Sequence, residues 1–233
     1  MIDISLISGE SPLLDEKTAE TMRGIFQKLD KAVVLKAAVD PEEEKSAEMA
    51  SFLKGIAGLS PMISLELYSR KEADILAQET REQGAQIDIS HLPVTGIFVE
   101  GVYQRAAFHG VPGGKEINSF VIGIYNAAGP GQPLAPEIRE KIQAISHKVQ
   151  MQILVSLSCT MCPDLVVAAQ RIASLNPLVT ADVYDIAHFP ELKEKYNVMS
   201  VPCLVINQDK VTFGKKNIQQ LLELIGTGNS NEI

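Results

Sequence analysis

The chain has 233 residues, 45% of them apolar, with 21 basic side chains against 29 acidic ones and a formal charge of -8. That length and apolar content suffice for two ordinary cores and exclude disorder over most of the chain. A sequence pI near 5.1 leaves no basic footprint for nucleic acid or an anionic membrane. Met1-Ile2-Asp3 opens without the basic and apolar regions of a secretory leader, and no apolar run approaches the roughly 18 to 20 residues that span a bilayer. The expectation is a soluble cytoplasmic protein with no nucleic-acid or membrane partner.

Helical spacing of Leu13, Met22, Ile25, Phe26 and Leu29 predicts a helix over Pro12 to Leu29, followed by a strand from Ala32 to Val39. Asp40-Pro41-Glu42-Glu43 supplies a capping residue, a first-turn proline and first-turn acids, so the next helix is placed from there to about Ile56. A strand over Pro61 to Tyr68 and a helix over Lys71 to Gln83 come next. Two short strands, Ile97 to Val99 and Val102 to Ala107, flank Gly101, and Gly113-Gly114 introduces a helix over Lys115 to Asn126.

Ala127 to Pro133 is dense in glycine and proline and reads as an inter-domain link. Beyond it come a helix from Ala135 to His147, a strand from Val149 to Leu157, and a helix that closes near Leu175. A strand over Val179 to Tyr184, a helix over Phe189 to Tyr196, strands at Cys203 to Ile206 and Lys210 to Phe213, and a helix over Asn217 to Ile225 complete the order. Both halves therefore read α, β, α, β, α, β, β, α at a period of roughly a hundred residues, an internal repeat in element order.

The second half carries the chemistry. A β-rich run ends in Cys159-Thr160-Met161-Cys162, and Leu165, Ala168, Ala169 and Ile172 then mark a helix. A cysteine at a helix start meets unpaired N–H groups and the positive end of the macrodipole, which favours its thiolate, so Cys159 is the expected nucleophile. Three cysteines make no disulfide framework, and in a reducing compartment a close pair points to catalysis or metal binding. Zinc needs two further ligands, and Cys203, His188 and His147 form no second paired spacing. Val201-Pro202 opens a strand with a proline, which invites a cis bond close to the dithiol. In the first half Asp40-Pro41 stands where the dithiol would be, so that half is expected to be redox-inert. Glu116, from residues alone, is a first-turn acid that complements a helix dipole. Cys203, a lone strand cysteine, reads as a small buried hydrophobe.

This arrangement resembles the thioredoxin-like fold. Ser156-Leu157-Ser158-Cys159, Cys162-Pro163-Asp164, Leu175-Asn176-Pro177 and Asn197 to Pro202 are similar to the N-terminal domain of the F component of alkyl hydroperoxide reductase, itself two fused thioredoxin-like folds with one inert copy. The resemblance implies that Phe108 to Glu116 faces the dithiol, with Glu116 as a third catalytic group beside Cys159 and Cys162. It also implies that Thr160, Met161, Val201 and Pro202 contact the substrate. Three departures stand out: Thr160-Met161 replaces a His-Asn pair, Thr95 stands where the inert copy keeps a proline, and no G-x-G-x-x-G follows at a strand-helix junction.

The resulting expectation is an α/β chain of two tandem thioredoxin-like domains, with mixed central sheets flanked by helices. Residues 1–128 form the inert domain, 134–226 the active one and 227–233 a tail or linker. The function implied is thiol-disulfide exchange that passes electrons from a thioredoxin-reductase-like flavoprotein to a two-cysteine peroxiredoxin in peroxide detoxification. No metal or cofactor is expected in the chain beyond the Cys159-Cys162 redox disulfide; FAD and NADH chemistry is placed on a partner domain or protein, so no intrinsic NADH oxidation is expected. The other readings are a general protein disulfide oxidoreductase, a zinc-binding module and a docking adaptor.

Overall fold

The computed structural model describes residues 1–40 and 42–226. The first half runs α1 (Glu16–Phe26), β1 (Val33–Val39), α2 (Glu44–Ala57), β2 (Ile63–Ser69), α3 (Ala73–Glu82), β3 (Val94–Val99), β4 (Val102–His109) and α4 (Glu116–Ala128). The second runs α5 (Pro136–Gln143), β5 (Val149–Val155), α6 (Cys162–Ala173), β6 (Val179–Asp185), α7 (Pro190–Lys195), β7 (Cys203–Ile206), β8 (Lys210–Phe213) and α8 (Ile218–Ile225). The element order is that of the repeat read from the sequence, and the α/β thioredoxin-like fold class is the one observed.

The two central sheets, however, are one. Its order is β2-β1-β3-β4-β6-β5-β7-β8, and the halves join where β4 pairs in parallel with β6, from Ala106 opposite Ala181 to His109 opposite Tyr184. Successive strand side chains point to opposite faces. One face therefore carries Leu35, Ala37, Ile97, Phe108, Met151, Ile153, Ala181 and Val183 into a core shared with Phe26, Phe52, Phe120, Leu165, Ile172 and Leu221 of the helices, continuous across both halves. The other face holds two separate cores. Leu76 of α3 packs with Tyr68, Phe98 and Tyr103, and Leu192 of α7 packs with Leu154, Tyr184 and Cys203.

Several boundaries differ from the sequence reading, each for a local reason. α1 starts at Glu16 because the Asp15 carboxylate accepts from the Thr18 N–H and caps it. α2 starts at Glu44, not at Asp40: the Asp40 carboxylate accepts from the Glu42 N–H in a tight turn, and Ser46 Oγ bridges the Asp40 N–H and the Glu43 carboxylate. The proposed first-turn proline, Pro41, lies outside the described residues, as does the 227–233 tail. α5 ends at Gln143 instead of reaching His147, since Asn176 Nδ2 donates to the carbonyls of Ile142 and Ile145. β3 begins at Val94, three residues early, because it is buried along its whole length between β1 and β4.

The link is held. α4 runs on to Ala128, and from the second half the buried Arg171 donates to the carbonyls of Asn126 and Gln132, both at 3.0 Å. Gly131 lies in the left-handed region with φ of 69°, and a Cβ there would sit 2.7 Å from the guanidinium. No helix among the described residues is long and apolar enough to cross a membrane.

Candidate functional site

β5 delivers the chain to the C-terminal edge of the sheet, where the Cys159 N–H closes a turn onto the Ser156 carbonyl at 2.9 Å. Met161 is the N-cap of α6, without a side-chain cap bond, and Pro163 occupies the second helical position. The unpaired N–H groups of the first turn are thus left to the cysteine loop. Cys159 and Cys162 are joined as a disulfide with Cα atoms 5.6 Å apart. The two sulfurs differ in access: Cys162 is 0% exposed, whereas Cys159 is part-exposed at the rim.

The loop before β7 meets Cys159 from the side. Val201-Pro202 is a cis peptide, as the sequence suggested, and the Val201 carbonyl oxygen lies 3.9 Å from Cys159 Sγ. Thr160 and Met161 are exposed beside it, and the Pro202 carbonyl accepts from the Gly214 N–H. The structure therefore gathers Cys159, Thr160, Met161, Val201 and Pro202 at one edge. Cys203, one residue on, points into the α7 core on the sheet face away from the Cys162 core, and burial pushes its thiol up to about 11.

The β4–α4 connection that leads into Glu116 reaches this edge from the first half through the β4–β6 pairing, which lays it alongside the dithiol loop. The Lys115 N–H donates to the Leu157 carbonyl at 2.8 Å. Gly114 has φ of 54° and lies so close to the Leu157 backbone that a Cβ there would collide with its carbonyl oxygen. Glu116 is no solvated helix-start acid: it is 1% exposed. Its Oε2 accepts from Ser119 Oγ, its Oε1 has no hydrogen-bond partner among the described residues, and burial raises the carboxyl to about 7, with the Ser119 bond opposing.

The proline assigned as missing from the first half is present. Leu92-Pro93 is cis and immediately precedes β3, as Val201-Pro202 precedes β7, so the matching position is 93 and not Thr95. In that half the Leu92 carbonyl is 3.1 Å from His188 Nε2 of the second half, which also lies 3.1 Å from Glu43. Among the described residues no three His, Cys, Asp or Glu side chains converge so as to hold a metal ion. The sequence reading did not single out Met199, 77% exposed two residues before Val201; an apolar side chain in a stretch with no helical or strand period was its available signal.

A family model described as a thioredoxin domain matches residues 149–225. The crystal structure of the NTD-N/C domain of alkyl hydroperoxide reductase AhpF from Enterococcus faecalis is similar with a TM-score of 0.84 and 37% identity, covering 91% of this chain and 100% of that one. A protein disulfide oxidoreductase from Aeropyrum pernix has the same fold, with a TM-score of 0.78, 19% identity and coverage of 97% and 93%. The F component of alkyl hydroperoxide reductase in Pseudomonas aeruginosa is 26% identical over 93% of this chain, which spans only 38% of that protein's length.

Proposed function

The chain belongs to the family of alkyl hydroperoxide reductase F N-terminal domains and is a thiol-disulfide oxidoreductase, and from that premise we propose that it carries electrons from a flavoprotein dithiol to a peroxiredoxin disulfide. The observation that carries this reading is the unequal pair at the strand-to-helix turn, one sulfur at the rim and one buried behind it. In the reduced form the Cys159 thiolate attacks one sulfur of the partner's disulfide, forming a mixed disulfide and releasing a partner thiolate. The Cys162 thiolate then attacks Cys159 Sγ, which closes the internal disulfide and releases the second partner thiolate. Two electrons leave the dithiol, and the partner's thiolates take up two protons.

Glu116 is the proton-handling group in this scheme. A carboxyl near 7 exchanges a proton at working pH, and its unpartnered oxygen belongs to the segment bonded to the dithiol loop. A thioredoxin-reductase-like flavoprotein, fused or separate, restores the dithiol and supplies the FAD and NADH chemistry. The test is reconstitution with such a flavoprotein and a two-cysteine peroxiredoxin: peroxide-dependent NADH consumption is expected, and Cys162→Ser should trap a Cys159-linked mixed disulfide with the peroxiredoxin. Silence with several peroxiredoxins, alongside rapid reduction of insulin disulfides, would replace this reading with the general oxidoreductase.

A further inference from the structure

Methionine sulfur is distributed unevenly over this molecule. Of its seven methionines, Met22, Met49 and Met151 are buried and Met62 is part-buried. Apart from Met1, the exposed ones are Met161 and Met199, at 47% and 77%. Both stand in the two loops that meet at Cys159, one between the cysteines and one just ahead of the Val201 carbonyl that Cys159 Sγ approaches. Those loops, Ser156 to Met161 and Val198 to Pro202, carry no charged residue, although 21% of the chain is charged. Within these two loops the reactive sulfur has beside it thioether, the part-buried Leu157 and Val201, and the hydroxyls of Ser158, Thr160 and Ser200; exposed charges, Lys115 bonded through its N–H to Leu157 and Asp164 paired with Lys215, lie just outside them.

Apolar side chains left in water stabilise nothing in the free protein, and clustered at a reactive centre they mark a contact surface. Methionine suits such a surface because its unbranched, polarisable side chain repacks against differing shapes. We propose that Met161 and Met199 form a thioether collar that receives uncharged, apolar residues flanking the partner's disulfide. The same collar is open to oxidation by hydroperoxide, which weakens docking without touching the dithiol. In that step the thioether sulfur gives two electrons to the peroxide, the O–O bond breaks, an S–O bond forms, and the leaving alkoxide takes a proton as alcohol. The resulting sulfoxide is polar and no longer fits an apolar flank. The collar rests on the proposed electron transfer for its partner and for the presence of hydroperoxide.

The experiment treats the disulfide form with tert-butyl hydroperoxide, maps added oxygen by peptide mass, and then reduces the disulfide with dithiothreitol. Met161 and Met199 should be oxidised well ahead of Met22, Met49 and Met151. The ratio of the rate constant with a peroxiredoxin disulfide to that with hydroxyethyl disulfide should fall about tenfold after oxidation. The size of that fall should change little with salt, because the thioether contact is uncharged and is not screened, whereas the flanking Lys115 and Asp164 act alike before and after oxidation. In the double variant Met161→Leu, Met199→Leu the ratio should no longer respond to peroxide. A ratio indifferent to sulfoxide formation, an equal loss in the leucine variant, or a steep salt dependence of the fall would each overturn the collar. If the untreated protein transfers nothing to peroxiredoxins, the proposed function fails by itself, and the same ratio measured with insulin decides the collar separately.

Discussion

Glu116→Gln separates a buried proton-handling group from a helix-start acid. Raising a carboxyl from its ordinary 4.5 to about 7 corresponds to about 3 kcal/mol of preference for the protonated form in the folded protein. Between those pH values the folded chain keeps a proton that the unfolded chain has released, so stability falls as pH rises through the interval and stays lower above it. Glutamine retains an acceptor for Ser119 Oγ and removes the titration. Denaturant unfolding of the disulfide form should therefore show the variant gaining about 2 to 3 kcal/mol on wild type between pH 5 and pH 8. In the reduced form the rate of dithiol oxidation should lose an inflection near neutrality. Parallel stability curves with an unchanged pH-rate profile would refute both the burial argument and the proton role.

Three further outcomes follow from the geometry. Brief alkylation of the reduced protein at neutral pH should label Cys159 before Cys162, since only Cys159 reaches the rim at the helix start; mass mapping that finds Cys162 first would reverse the order of attack. Cys203→Ala should cost about 1 kcal/mol for a small buried group and keep most disulfide-reducing turnover. A large loss of turnover with the fold intact would assign a redox role to that sulfur. Gly114→Ala puts a Cβ at positive φ into the Leu157 carbonyl, at a cost of about 3 kcal/mol. Because Leu157 is two residues from Cys159, the variant should also slow thiol exchange, and unchanged rate and stability would show that the contact between the halves is dispensable.

The dithiol, its strand-to-helix setting and the cis proline beside it were legible because each is written in a few adjacent residues with strong local preferences. The doubled element order was legible for the same reason. The fusion of the two sheets was not, because β4 pairs with β6 across the link and nothing in Ala106 to His109 distinguishes a neighbour from the other half. The burial of Glu116 follows from that pairing and was equally hidden; its position at the head of α4 is what an exposed dipole-complementing acid would occupy. Pro93 is visible in the sequence, but its place directly before β3 is not, because the early start of β3 depends on burial between two neighbours and not on its own Val94-Thr95-Gly96 sequence.

The β4–β6 seam also explains why the half without a cysteine is more than ballast. Pairing in this register brings the end of each half's own sheet against the other's. The first half gives the second its Gly113 to Glu116 segment, tied to the Leu157 carbonyl beside the disulfide. The second gives the first His188, whose Nε2 meets the Leu92 carbonyl ahead of cis-Pro93 and the Glu43 carboxylate. Leu92 holds in the first half the place that Val201 holds in the second, where the carbonyl faces Cys159 Sγ. In one half that carbonyl faces a reactive sulfur and the exposed rim; in the other it faces an imidazole from its neighbour. The exchange makes the cysteine-free half part of the wall around the Cys159-Cys162 edge.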